Sequence, residues 1–160
     1  MARMAERINK SKKLSMKVDF LLKFIGCFFF LIGIMGIILS IKIGSFDKVF
    51  WFCYIGLILM GIGAFRKDSN LITSQVNIMT IPLIIWSIDF FSILFFKISL
   101  FKISEYFFSP GFSFLSRLIS LQHLITLPLA FYCIYIIGLN RKDNWKISFF
   151  EIFLIFIIST

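Results

Sequence analysis

From Phe20 to Ile41 the chain runs for 22 residues with a single charge, Lys23, near the start. As a helix that run is about 33 Å long at 1.5 Å per residue, enough to cross a hydrocarbon core of about 30 Å. No other feature restricts the fold so strongly. Basic residues precede the run as they precede the core of a signal peptide. It is nevertheless longer than the usual core of about 7–15 residues, and no A-x-A site follows, so it reads as an uncleaved first helix.

The rest of the chain follows the same pattern. Hydrophobic residues are 59% of the 160 and mean hydropathy is +0.96, against about 45–50% apolar in an ordinary soluble domain. They fall in long runs, so lipid serves as solvent for most of the chain, which excludes a soluble enzyme or a DNA-binding module. The expected fold is an all-α polytopic transmembrane helix bundle. It has four full spans at about 20–41, 49–65, 78–96 and 115–139 and an incomplete fifth at 147–160, following a basic tail at 1–19. Trp51 and Tyr54 suit an aromatic belt at the start of the second run. Between the third and fourth runs, the apolar residues from Ile98 to Phe108 alternate with Lys102, Ser104 and Glu105 before the Pro110-Gly111 break. That pattern predicts a short helix lying in the interface. The fifth run comes to about 21 Å, which reads as a chain ending within its fifth helix.

The net charge of +9 would suit nucleic acid, but six of the seventeen basic residues (Arg3, Arg7, Lys10, Lys12, Lys13 and Lys17) lie in the tail. Counted over alternate connections, eleven basic residues fall on the tail's side and five on the other, with Lys23 inside the first run. The positive-inside rule then places the amino terminus in the cytoplasm of a multi-pass cell-membrane protein, its tail near anionic headgroups. No nucleic-acid partner is expected.

Few residues offer chemistry. Cys27, Cys53 and Cys133 are isolated in apolar stretches and read as lipid-facing or packing residues. Asp89, inside Trp86-Ser-Ile-Asp89-Phe90, is costly in a membrane helix, by roughly 2.5–3.5 kcal/mol at the centre, and must face protein or water. His123, the one histidine, lies in the next span at matching depth, about 12 Å from the same edge. Ser116, Ser120, His123 and Thr126 form one polar stripe at helical spacing, Ser92 follows Asp89 by three, and Pro128 frees a carbonyl beside His123. Asp89 and His123 are therefore the candidate catalytic pair, with Ser92, Arg117, Ser120 and Thr126 as substrate or polar-stripe residues. The alternative is a structural contact of Asp89 with His123 or Arg117 that ties the two spans together. Asn70, Gln75 and Asn77 are expected to be solvated or capping, and the glycines of the first two spans to mark close helix approach. Asp89, His123 and Glu151 fall short of a metal set, and no motif calls for a cofactor.

The elements Trp86-x-x-Asp89-Phe90, Pro110-x-x-x-Phe114, Arg117-x-x-Ser120-Leu121-x-His123, Pro128 and Gly138-x-x-Arg141 occur in this order. The order resembles that of an uncharacterised family of small prokaryotic polytopic integral membrane proteins, over roughly residues 69–150. The resemblance implies a membrane protein that continues beyond the fifth helix, and no particular reaction. Three functions remain open: an enzyme acting on a lipid-soluble substrate, a proton-coupled transport component, and a non-catalytic scaffold.

Overall fold

The computed structural model describes residues 2–42, 52–139 and 144–159, with side chains at 15–42, 53–139 and 145–153. The helices are α1 (Ala2–Lys42), α2 (Phe52–Arg66), α3 (Ser69–Phe96), α4 (Glu105–Phe108), α5 (Phe114–Ser120), α6 (Gln122–Ile137) and α7 (Asn144–Ser159). No strand occurs among the described residues. Three stretches, Ser15–Lys42, Ser69–Phe96 and Phe114–Ile137, are long and apolar enough to cross a membrane. The all-helical membrane architecture therefore stands, with three full-length spans rather than four among the described residues. The 15 residues of α2 come to about 22 Å and the 16 of α7 to about 24 Å. The start of the expected second run, 49–51, lies outside the described residues, as do Lys48, Arg141 and Lys142. The backbone of the basic tail is continuous with the first span in one helix.

The turn between α2 and α3 is built by its own sequence. Lys67 takes the left-handed conformation (φ 55°). The Asp68 N–H then reaches the Gly63 carbonyl at 2.8 Å and the Lys67 N–H reaches Ala64 at 3.3 Å, closing α2 in a Schellman motif. Asp68 next caps α3, its carboxylate accepting from the N–H groups of Asn70 at 3.0 Å and Leu71 at 3.3 Å. This cap starts α3 at Ser69, well before the expected Ile78. Asn77 is exposed as expected, whereas Gln75 is not solvated: it is 1% exposed and donates to Glu151 of α7 at 2.6 Å. Beside it the Ser148 hydroxyl donates to the Ser74 carbonyl at 3.1 Å. The polar opening of α3 is thus an interhelical surface, which an apolarity count leaves outside the span. At the same end Asp19 pairs with Lys23 at 2.8 Å and Lys67 at 2.6 Å, fastening α1 to the α2–α3 turn.

In lipid, helix association rests on close packing more than on apolar burial. The core follows helical spacing: Leu22, Ile25 and Phe29 of α1, Leu57, Met60 and Ala64 of α2, Ile72, Val76, Met79 and Leu83 of α3, and Ala130, Cys133 and Ile134 of α6. α3 is the hub, packing against α2, α6 and α7. Of the cysteines, Cys27 is exposed and Cys133 is buried. The glycines do permit close approach. A β-carbon at Gly61 would stand 2.8 Å from the Gly26 carbonyl oxygen, and one at Gly26 3.1 Å from that of Gly61. Replacing Gly61 by leucine should cost about 1–3 kcal/mol by overpacking. The check is a lowered midpoint of thermal unfolding in detergent; an unchanged midpoint would refute the close α1–α2 contact.

Candidate functional site

Asp89 lies seven residues before the end of α3 at Phe96, about 10 Å along the axis, and is fully buried. What covers it is the following connection. Lys97 closes α3 in the left-handed conformation (φ 59°), its N–H on the Ile93 carbonyl at 3.0 Å. The chain then folds back along the helix. One carboxylate oxygen of Asp89 accepts from the Ser99 hydroxyl (3.0 Å) and the N–H groups of Leu100 (2.8 Å) and Phe101 (2.9 Å). The other accepts from the N–H groups of Ile103 (3.0 Å) and Ser104 (2.8 Å) and from the Ser104 hydroxyl (2.9 Å). The expected interfacial helix is therefore replaced over residues 97–104 by a turn wrapped around a carboxylate. Only Glu105–Phe108 is helical. The apolar residues of this turn, Ile98, Leu100, Phe101 and Ile103, face outward.

The Asp89–His123 pair expected from depth is not formed. A carboxylate offers about four lone-pair sites, and six donors from one connection occupy both oxygens, leaving nothing to orient an imidazole. Nor does Arg117 meet Asp89; its Nη2 donates to the Ser109 carbonyl at 2.8 Å, holding the return limb of the connection.

His123 is positioned from three other directions. Its ring stacks on the Trp86 indole (centroids 4.7 Å apart), which stacks in turn on Phe90 at 5.1 Å. Its Nδ1 is 2.6 Å from the Ser120 carbonyl; a carbonyl only accepts, so that geometry assigns the hydrogen to Nδ1 and the lone pair to Nε2. The Gln122 amide nitrogen, also a donor, lies 3.1 Å from the same Nδ1; the two contacts call for opposite tautomers, and the shorter one, to Ser120, is taken to decide. The Trp86 indole N–H donates to the Tyr106 hydroxyl at 2.9 Å. Burial raises the Tyr106 phenol above its ordinary value, so the hydroxyl keeps its proton at neutral pH. The rest of the polar stripe is buried and locally bonded. Ser116 pairs with Ser113 at 2.8 Å, and the Thr126 hydroxyl sits between the backbone (2.8 Å) and side-chain (2.6 Å) oxygens of Gln122.

With the connection folded against the Trp86–Asp89–Phe90 face of α3, the opposite face is left open against α6. There a groove of about 680 Å³ is lined by Ile84, Ile88, Phe91 and Phe95 of α3 and by Leu124, Leu127, Pro128 and Phe131 of α6, with Leu100 from the connection. Its polar lining residues are Ser87, Ser92 and His123. The Ser87 hydroxyl is turned to the Leu83 carbonyl at 2.7 Å. His123, with its Nδ1 and one ring face engaged, is the one imidazole in this lining. The structure thus places His123 and Ser92 in one lining, and neither is among the hydrogen-bond partners of Asp89.

Tyr106, Ser99 and Ser104 join the site without having been expected there from the sequence. A buried indole N–H needs an acceptor and a buried carboxylate needs donors, and serines close after Asp89 were the available signal. Compared with protein-family models, curated proteins and solved structures, the chain matches none.

Asp89→Asn would set an amide donor against the donors that one oxygen now receives. The expected cost is at least about 3 kcal/mol of stability, with faster hydrogen exchange at Leu100, Phe101, Ile103 and Ser104 while α1 and α2 stay protected. Unchanged exchange at those four amides would overturn the assignment.

Proposed function

We propose that this chain is a multi-pass cell-membrane protein, amino terminus in the cytoplasm, that binds a single-chain lipid-soluble amphiphile between α3 and α6, with His123 accepting a hydrogen bond from it. The observation that carries this reading is an apolar groove of about 680 Å³ with an imidazole, His123, held in its wall by a backbone carbonyl. Small-molecule sites are typically clefts of about 300–1,000 Å³, apolar apart from a few placed polar groups. Fixing one imidazole nitrogen on a backbone carbonyl is the usual way of presenting the other. Orientation rests on the excess of basic residues on the tail's side and on the Asp19–Lys67 pair, which puts the start of the first span and the α2–α3 turn at one end.

An enzyme or proton path built on Asp89 and His123 together required the pair, and the hydrogen bonds of Asp89 give no support to either. The residues that resemble the small prokaryotic membrane family, Trp86, Asp89, Phe90, Arg117, Ser120 and His123, gather around the α3–α5 connection. That gathering favours a role in holding the groove's architecture.

Native mass spectrometry in detergent tests the proposal with monooleoylglycerol, a neutral single-chain probe bearing hydroxyl donors. One molecule should bind per chain. Leu127→Trp, which fills the groove, should abolish binding. His123→Phe, which keeps a ring against Trp86 without an acceptor, should weaken it about tenfold, the worth of one hydrogen bond. Undiminished binding to the Leu127→Trp variant would sink the groove assignment.

A further inference from the structure

The groove is electrically lopsided. At the connection end its lining residues are followed in sequence by exposed cations: Lys97 comes after Phe95 and Phe96, and Lys102 two residues after Leu100. A third cation stands on the same helical stripe. α5 and α6 form one span, broken at Leu121, which keeps right-handed helical backbone (φ −63°, ψ −16°). Arg117 precedes the lining residue Leu124 by seven positions and therefore shares its face, about 10 Å nearer the connection.

None of these three cations forms an ion pair with a described residue. Arg117 spends one nitrogen on the Ser109 carbonyl, and its Nε is buried without an acceptor. From Phe90 to Ile137 the carboxylates are limited to Glu105, which is exposed; Asp89, just before that stretch, is enclosed by its six donors. Lys97 and Lys102 are also held at φ 59° and 57°, a conformation that glycine adopts at no steric cost and most side chains resist. Toward Leu83 and Phe131, the groove's lining is apolar.

An occupant that matches both ends has an apolar tail and a negative head. Resting on the groove assignment above, we infer that the bound amphiphile is a phosphate-bearing single-chain lipid, its tail between α3 and α6 and its phosphate at Lys97, Lys102 and Arg117. Polybasic sites of this kind attract anionic headgroups in a salt-dependent way, and a guanidinium suits phosphate oxygens in particular.

The test compares three probes that share the oleoyl chain: lysophosphatidic acid, zwitterionic lysophosphatidylcholine and neutral monooleoylglycerol. Each is titrated into the full chain in detergent at low and high salt. Lysophosphatidic acid should bind at least tenfold more tightly than lysophosphatidylcholine at low salt, with the gap narrowing as salt is added. Leu127→Trp should abolish binding of all three. The double variant K97N/K102N uses asparagine because it tolerates left-handed backbone. It should remove most of the preference for the anion and leave monooleoylglycerol affinity unchanged, which also shows that the variant is folded. Equal affinity of the wild type for the two phospholipids overturns the inference while the groove assignment stands. Anion binding that survives Leu127→Trp overturns it in favour of a surface charge effect. Competition by glycerol 3-phosphate, the same head without a chain, overturns it in favour of a soluble phosphate. Failure of Leu127→Trp to affect any probe removes the groove assignment itself.

Discussion

An aspartate in an apolar helix and an irregular connection entering the same apolar region pose complementary problems. The carboxylate needs donors, and the peptide N–H groups of a chain that is neither helix nor strand need acceptors. Here each supplies the other: four backbone N–H groups and two hydroxyls between Ser99 and Ser104 converge on Asp89. A neutral side chain could not take their place, because only a carboxylate combines full acceptor capacity at both oxygens with the charge that strengthens each bond. Left-handed turns at Lys97 and Lys102 bring the N–H groups around to one point, forming a concave anion site of the kind backbone amides build elsewhere.

The position of the connection decides the rest of that end of the molecule. Once it lies along the Trp86–Asp89–Phe90 face of α3, Tyr106 and Phe107 reach Trp86, one by a hydrogen bond and the other edge-on at 6.4 Å. Trp86 is thereby locked, and His123 takes its orientation from the Trp86 stack and the Ser120 carbonyl. The opposite face of α3 is covered only in part by α6, and the groove is what remains. The imidazole stands at the boundary between the two faces. A change at Asp89 therefore reaches His123 through the connection and the Trp86 stack.

At the other end the same economy of lipid packing operates by different means. Gly26 and Gly61 let α1 and α2 meet at backbone distance, since small residues gain contact where burial gains little. Gln75 reaches Glu151 across the α3–α7 contact, and Gly56 leaves room beside the Gln75 oxygen, which a β-carbon there would meet at 3.2 Å. Polar groups at this end join helices, whereas Asp89 joins a helix to its own connection.

How far the sequence could be read depends on what kind of information each feature carries. Long apolar runs, charge placement and the cost of a lone aspartate are properties of composition along the chain, and from them the helical membrane architecture, the burial of Asp89 and the buried stripe from Ser116 to Thr126 were legible. The start of α3 was not, because Asp68 caps it and Gln75 is satisfied by a helix 76 residues away. Depth alone paired Asp89 with His123. Depth is one coordinate, and the angular positions that separate them were set by a connection whose irregular backbone has no period to read. By itself the sequence determined that this chain is helical, apolar and obliged to shelter one carboxylate, since transfer energies act residue by residue. Which groups shelter it, and hence which face of α3 stays open beside His123, only the tertiary structure decided, because hydrogen bonds depend on direction and on partners that sequence distance does not reveal.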